Sequence, residues 1–236
     1  KAYIPESNFS KDKFERLSLF SKRNVSIIWT SKKILPQNWN TIWEKNFNPI
    51  RVTDKCVVRA DFHPPQKVKY DLIITPKMSF GTGHHQTTQL MMLFILKMNC
   101  VGKKFLDMGT GTGILSILAE KKGATLVHAF DTDPWSLNNA EKNILRNDCK
   151  VINAELGGFV PSKGIYDVIL ANINLNILKD QIPYYSKIVT TGGVLLMSGF
   201  YETDLFKLIE FSKGFGFKFI RKFKKDDWLA TEFIKK

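Results

Sequence analysis

One stretch restricts the folds open to this chain more than any other: Phe105-Leu106-Asp107-Met108-Gly109-Thr110-Gly111-Thr112-Gly113. Phe105 and Leu106 read as the end of a buried strand, and the three alternating glycines as a tight turn that opens a helix at Ile114. Glycine accepts positive φ and puts no Cβ between the backbone and whatever approaches it. The spacing is G-x-G-x-G. Ile114 stands where a dinucleotide fingerprint needs a third small residue, so a pyrophosphate resting on the helix end is disfavoured. A glycine turn with no ligand is the alternative, and the turn alone does not separate the two.

From Tyr70 onward, strand-like and helix-like segments alternate. Strands are expected at residues 71–74, 104–107, 126–130, 166–170 and 194–198, helices at 87–98, 114–122 and 134–146, and a partly helical crossover at 177–189. Such alternation predicts parallel strands with helices on both faces, and ligands bind these open sheets beyond the carboxyl ends of the strands. A hydrophobic fraction of 44% is ample for a folded core, and 236 residues allow a large domain with a smaller one beside it. No apolar run nears the roughly 18 residues of a membrane helix. The chain is read as soluble and, starting at Lys1 without a leader pattern, as trimmed from a longer protein. Cys56, Cys100 and Cys149 are an odd, widely spaced set that suits neither disulfides nor zinc, which predicts a reducing, cytoplasmic setting.

The net charge is +13, and residues 1–60 hold 12 Lys or Arg against 5 Asp or Glu, leaving +6 for the remainder. A basic front of this kind suggests an anionic partner such as ribosomal RNA, or only a solvated surface. The pattern there predicts a strand at 2–4, a helix at 10–19 capped by Ser10 and a strand at 25–31, a β-α-β piece too small to close a core alone. Residues 36–66, with Pro36, Pro49, Pro64 and Pro65, read as a connector carrying a short helix at 39–45 and a strand at 56–60. The expected division is therefore 1–35, this connector, and a catalytic domain at 67–236.

Other strand ends favour a ligand. Asp131 closes the strand after the glycine helix, eighteen residues beyond Gly113, where a carboxylate accepts hydrogen bonds from both ribose hydroxyls of an adenosyl group. Asp133, just before Pro134, is expected to serve the helix dipole without touching a ligand. Asn172, in Ala171-Asn172-Ile173-Asn174, follows an apolar strand, and its amide either accepts hydrogen bonds from an amine or merely ends the strand. Methyltransferases acting on DNA adenine or on glutamine carry Asn-Pro-Pro-Tyr at such a place. This chain lacks those prolines and the aromatic residue, which disfavours a flat acceptor stacked on Tyr.

Upstream lies Phe80-Gly81-Thr82-Gly83-His84-His85-Gln86-Thr87-Thr88. Its glycines let a loop fold over a ligand, and the hydroxyls of Thr87 and Thr88 start the next helix where they can bind it. His84 and His85 have no acidic partner at metal-ligand spacing and read as structural, as do His63 and His128.

Together these blocks resemble the PrmA methyltransferases, which modify the eleventh protein of the large ribosomal subunit. The resemblance runs almost from Lys1 to Lys236, carried by Asn38-Trp39 through Asn48-Pro49-Ile50, Met78-Ser79-Phe80-Gly81-Thr82-Gly83-His84-His85, the glycine block, Asp131 with Pro134, and Ala171-Asn172-Ile173. It implies an α/β fold: a Rossmann-like class I S-adenosylmethionine-dependent methyltransferase sheet behind a small, truncated α+β ferredoxin-like domain that recognises substrate. It implies S-adenosylmethionine contacts at Thr88, Gly109, Asp131 and Asn172, and the surrounding motif residues Phe80, Gly81, Thr82, Thr87, Gly111, Gly113 and Thr132 are expected to join them. Gly157-Gly158 departs from relatives that often carry an acid there for the adenine amino group.

By the same resemblance the acceptors are lysine side-chain amines and an N-terminal amine of that ribosomal protein. A free Lys has a pKa near 10.4, so roughly one in a few thousand is neutral at pH 7, and only the neutral form has a lone pair with which to attack. Desolvation lowers that pKa, and alignment of the reactants supplies the rest. Asn172 and the carbonyl of Ile173 are the expected catalytic pair, with the 80–88 loop closing over the cofactor and no metal involved. Two alternatives stay open: a ribosomal RNA methyltransferase, which fits the basic front but lacks an aromatic clamp for a splayed base, and a non-catalytic ribosome-binding protein with the same core.

Overall fold

A computed structural model of the chain describes residues 3–18, 20, 26–33, 47–75, 79–162 and 164–236. It divides into two compact units, 1–47 and 48–236. In the first, helix α1 (Lys11–Glu15) is capped by Ser10, whose hydroxyl accepts from the Lys13 N–H at 3.4 Å. The helix buries none of its residues and stops well short of the expected Leu19, because no packing rewards its extension. Phe9, Phe14, Phe20 and Trp29 cluster, with the rings of Phe14 and Trp29 4.9 Å apart. The strands expected at 2–4 and 25–31 are not formed: the described residues 3–5 and 26–33 make no ladder. A strand exists through its partner, and neither segment has one among the described residues, leaving Tyr3 and Ile28 exposed. Ala2, Val25 and the helix expected at 39–45 lie outside the described residues.

The second unit begins with a three-stranded sheet. Strands β1 (Ile50–Thr53) and β2 (Cys56–Arg59) pair antiparallel, and β2 pairs parallel with β3 (Tyr70–Ile73). Cys56, Val57, Val58 and Ala60 are fully buried, so β2 and the residue after it belong to the core. Arg59, also buried, donates through Nε to both oxygens of Asp71 at 2.8 and 2.9 Å, while its guanidinium reaches the carbonyl of His63.

The main sheet has seven strands: β4 (Lys104–Met108), β5 (Leu126–Asp131), β6 (Ile152–Leu156), β7 (Tyr166–Asn172), β8 (Val189–Tyr201), β9 (Phe217–Lys225) and β10 (Trp228–Lys235). Their order is β6-β5-β4-β7-β8-β10-β9, parallel throughout except for β10, which is antiparallel to β8 and β9. Helices α2 (Gln86–Lys97), α3 (Ile114–Lys121), α4 (Pro134–Arg146), α5 (Leu175–Ile188) and α6 (Leu205–Lys213) cover it. Side chains alternate between two cores. Phe105, Val168, Leu170 and Leu196 pack with α2 and α3, while Leu106, Ile169, Leu195 and Met197 pack with Leu178 and Tyr185 of α5.

The chain leaves β4 towards β5 and β6 and returns to lay β7 on the other side of β4. The carboxyl ends of β4 and β7 therefore flank the crevice where strand order reverses, and in such sheets that crevice receives the ligand. Among the described residues no helix is long and apolar enough to cross a membrane.

Candidate active site

The glycine turn sits at this crevice, with φ of 72°, 58° and 81° at Gly109, Gly111 and Gly113. It is anchored to the end of β5: the N–H groups of Gly109 and Thr110 both donate to the Phe130 carbonyl, and Gly111 N–H donates to Asp131 Oδ2 at 2.8 Å. The tightness of the turn serves the protein's own packing. A Cβ on Gly111 would lie 2.4 Å from the Phe80 carbonyl oxygen, and one on Gly109 would lie 2.4 Å from Ile173 Cγ2. The glycines thus bring the 80–85 loop and the β7 end onto the turn, as well as leaving backbone open to a ligand.

The loop is held there by Thr112, whose N–H donates to the Phe80 carbonyl at 3.0 Å and whose hydroxyl donates to the Gly81 carbonyl at 2.5 Å. Thr82 pairs its hydroxyl with His84 Nδ1 at 3.1 Å. His85 caps α2, accepting at Nδ1 from the Thr87 N–H and lying 2.8 Å from the Thr87 hydroxyl, so Thr87 is engaged within the protein. Thr88, fully buried in the first turn of α2, has a hydroxyl with no partner.

Asp131 takes one backbone N–H on each carboxylate oxygen, Gly111 on Oδ2 and Asp133 on Oδ1 at 3.0 Å. A carboxylate oxygen has two acceptor positions, so the pair retains capacity for two hydroxyls. Asp133 is the N-cap of α4, accepting from Trp135, Ser136 and the Ser136 hydroxyl, and these hydrogen bonds hold its carboxyl below the ordinary value. Thr132 packs under the next loop, where a Cβ on Gly158 would lie 2.5 Å from its Cγ2.

Asn172 ends β7 opposite Ser198 of β8, and its Oδ1 is buried without a partner. Asn174 instead caps α5 by accepting from the Ile177 N–H at 3.1 Å, so the two asparagines of the motif do different work. Between them, the Ile173 side chain packs on Gly109 and its carbonyl faces Gly199, where a Cβ would lie 2.2 Å from the oxygen.

Two residues of the site escaped the sequence reading. Gly199, with φ of 98°, keeps the space before the Ile173 carbonyl clear, and its only signal was a glycine directly after a strand end. Asp107 was read as a strand terminus, yet it is fully buried. Its Oδ2 accepts from Ser116 at 2.6 Å and from Thr110 at 2.8 Å, while Oδ1 has no partner. Burial pushes its carboxyl up to about 6 against the opposing pull of those two hydroxyls. The other histidines are spoken for: His63 Nδ1 accepts from the Ala60 N–H, and His128 pairs with the Tyr166 hydroxyl at 2.8 Å.

The residues fit an adenosyl ligand bearing a cationic amino-acid end. An acidic strand end with spare acceptors suits ribose, and the partnerless buried oxygens of Thr88, Asp107 and Asn172 are acceptors awaiting N–H, O–H or positive charge.

The family model of ribosomal protein L11 methyltransferase (PrmA) matches residues 1–236. The chain belongs to that family. It is 43% identical over 240 residues to the ribosomal protein L11 methyltransferase of Porphyromonas gingivalis, covering 99% of this chain and 82% of the relative. Identity to the protein of the same name from Phocaeicola vulgatus is 40%, over 100% of this chain and 86% of the relative. The crystal structure of ribosomal protein L11 methylase from Lactobacillus delbrueckii subsp. bulgaricus superposes with a TM-score of 0.74 at 29% identity, over 80% of this chain and 100% of that one. As a member of the L11 methyltransferase family the chain is an enzyme, and its seven-stranded sheet is that of the class I methyltransferases.

Proposed function

We propose that this chain methylates lysine and N-terminal amines of ribosomal protein L11 at the crevice between β4 and β7, using S-adenosylmethionine. The observation that carries the reading is the pair of buried, partnerless carboxyl and amide oxygens at the ends of the strands that flank that crevice, on Asp107 of β4 and Asn172 of β7. S-Adenosylmethionine supplies an activated methyl group on a sulfonium. Asp131 accepts from the ribose hydroxyls, the turn at Gly109, Gly111 and Gly113 lies along the ligand, and Thr88 binds it through its free hydroxyl. Phe80, Gly81 and Thr82 cover it, Thr132 borders it, and Thr87 acts indirectly by fixing His85.

The acceptor amine is held by Asn172 Oδ1 and the Ile173 carbonyl, two oxygens that take its N–H bonds and aim its lone pair. Only the neutral amine can form the new N–C bond, and entry from water into the crevice favours that form. No side chain need act as nucleophile; alignment is the chain's contribution. Residues 1–35 serve substrate recognition and 36–66 connect them to the catalytic part. A ribosomal substrate and three free, buried cysteines support a cytoplasmic site of action.

The decisive experiment offers methyl-labelled cofactor and the enzyme to separated ribosomal proteins and ribosomal RNA. Label is expected in L11; label confined to RNA would replace this reading with the RNA alternative suggested by the basic front. Asn172→Ala should lower turnover about tenfold, the scale of one lost hydrogen bond, and Asp131→Ala should weaken cofactor binding in calorimetry by a similar factor. Unchanged values in either variant would remove the corresponding role.

A further inference from the structure

The 80–85 loop is held on two sides. Thr112 fastens it to the glycine turn below. Above, it is fastened by the tip of the β9–β10 hairpin, about 140 residues away in sequence, through the first turns of α2. Lys225 Nζ donates to Gln89 Oε1 at 2.6 Å, and the amide nitrogen of the same Gln89 donates to the carbonyls of Gly83 at 2.8 Å and His84 at 3.1 Å. Gln86 Nε2 donates to Asp226 Oδ2 at 2.9 Å. The His85 ring lies between Phe80 and Trp228, with centroids 5.2 and 4.9 Å away.

We propose that Gln89, poised by Lys225, is a positioning residue for the cofactor loop: it holds the Gly83 and His84 carbonyls so that Phe80 to Thr82 stay seated over the glycine turn. The proposal rests on the reading of 80–88 as the cofactor loop. A primary amide is needed because it does two things at once: its oxygen receives the lysine while its nitrogen gives both hydrogens to the loop. Gly81 and Gly83, with φ of 96° and 88°, leave the loop without intrinsic stiffness, so its seating depends on such external ties. The hydrogen bonds of the Gln89 side chain go to Gly83, His84 and Lys225, so it acts on the reaction through the loop it holds.

The two roles of the amide separate by substitution. Gln89→Glu keeps an acceptor for Lys225 but has no hydrogens for the carbonyls, Gln89→Ala loses both, and Lys225→Met leaves the loop bonds in place. Amide hydrogen exchange of residues 81–85 is measured without cofactor, together with the dissociation constant for S-adenosylmethionine by calorimetry, the thermal midpoint and kcat. In Gln89→Glu and Gln89→Ala, exchange at 81–85 is expected to rise and the dissociation constant to increase about tenfold, the scale of two lost hydrogen bonds, with kcat at saturating cofactor and the thermal midpoint little changed. Lys225→Met should give about a threefold increase, from the one lost bond to an amide. Unchanged exchange in Gln89→Glu overturns the clamp itself. Raised exchange with unchanged affinity overturns the positioning role by another route, showing a clamped loop that the cofactor does not use, while loss of binding in Asp131→Ala would leave the wider cofactor reading intact.

Discussion

Asp107 carries an ionisation cost that its neighbours only partly offset. Ser116 and Thr110 stabilise one carboxylate oxygen while the other stays dry, and desolvation outweighs both, moving the carboxyl from 3.8 to about 6. A folded-state pKa raised above the unfolded value means the native state holds its proton longer. The group therefore favours folding fully below about pH 4 and loses that contribution as pH rises through about 6. Two units correspond to about 3 kcal/mol. Asp107→Asn keeps an acceptor for the two hydroxyls and cannot ionise. Its folded state should be more stable relative to wild type at pH 7 than at pH 4 by up to that amount, in denaturant titrations without cofactor. An offset equal at both pH values would show that Asp107 titrates normally.

Among elements, the glycine turn and the loop above it form one unit, and the three glycines differ in what they protect. Gly111 faces a backbone carbonyl at 2.4 Å, which has nowhere to retreat while Thr112 holds Phe80. Gly109 faces a side-chain methyl of Ile173 at the same distance, which can rotate, and Gly113 meets nothing nearer than 3.4 Å. Alanine at Gly113 should cost only the strain of positive φ, about 1 kcal/mol. Alanine at Gly111 should cost about 3 kcal/mol or more in the same denaturant titration and also unseat the loop, with cofactor affinity falling by more than tenfold. Equal costs at the two positions would mean that φ alone explains the motif. This ranking was not legible in the sequence, where the three glycines look alike, although the turn itself and the placement of Asp131 and Asn172 at strand ends were. Strands β4, β5, β7 and β8 and the helices between them were legible because buried parallel strands are continuous apolar runs. Edge strand β6, with Asn153 and Glu155, and edge strand β9, with Lys218, Arg221, Lys222, Lys224 and Lys225, carry too much charge and polarity to announce themselves. A register shift in the β9–β10 pairing also puts Phe219 in one core and Phe223 in the other, although strict alternation would place them together. The front strands failed for the opposite reason: residues 26–31 have strand-like composition, but composition cannot supply a partner.

At the scale of the molecule, the chain divides after Phe47, and the proposed function assigns recognition of the substrate to the first unit and catalysis to the second. Residues 48–236 contain both core clusters, the three-stranded sheet and every residue assigned to the cofactor and the amine. The first unit contributes a small aromatic cluster and a short helix with no buried face. A chain of 189 residues with its own core is well within the size that folds alone. The fragment 48–236 is therefore expected to unfold in one cooperative transition and to bind S-adenosylmethionine within about twofold of the full chain, since every residue assigned to the cofactor lies within it. Its methylation of intact L11 should fall by at least a hundredfold through KM, because the recognition surface assigned to residues 1–35 is gone, while a short lysine peptide at high concentration should be methylated equally by fragment and full chain. Equal activity of the two on intact L11 would take substrate recognition away from the first unit and place it on the catalytic unit itself.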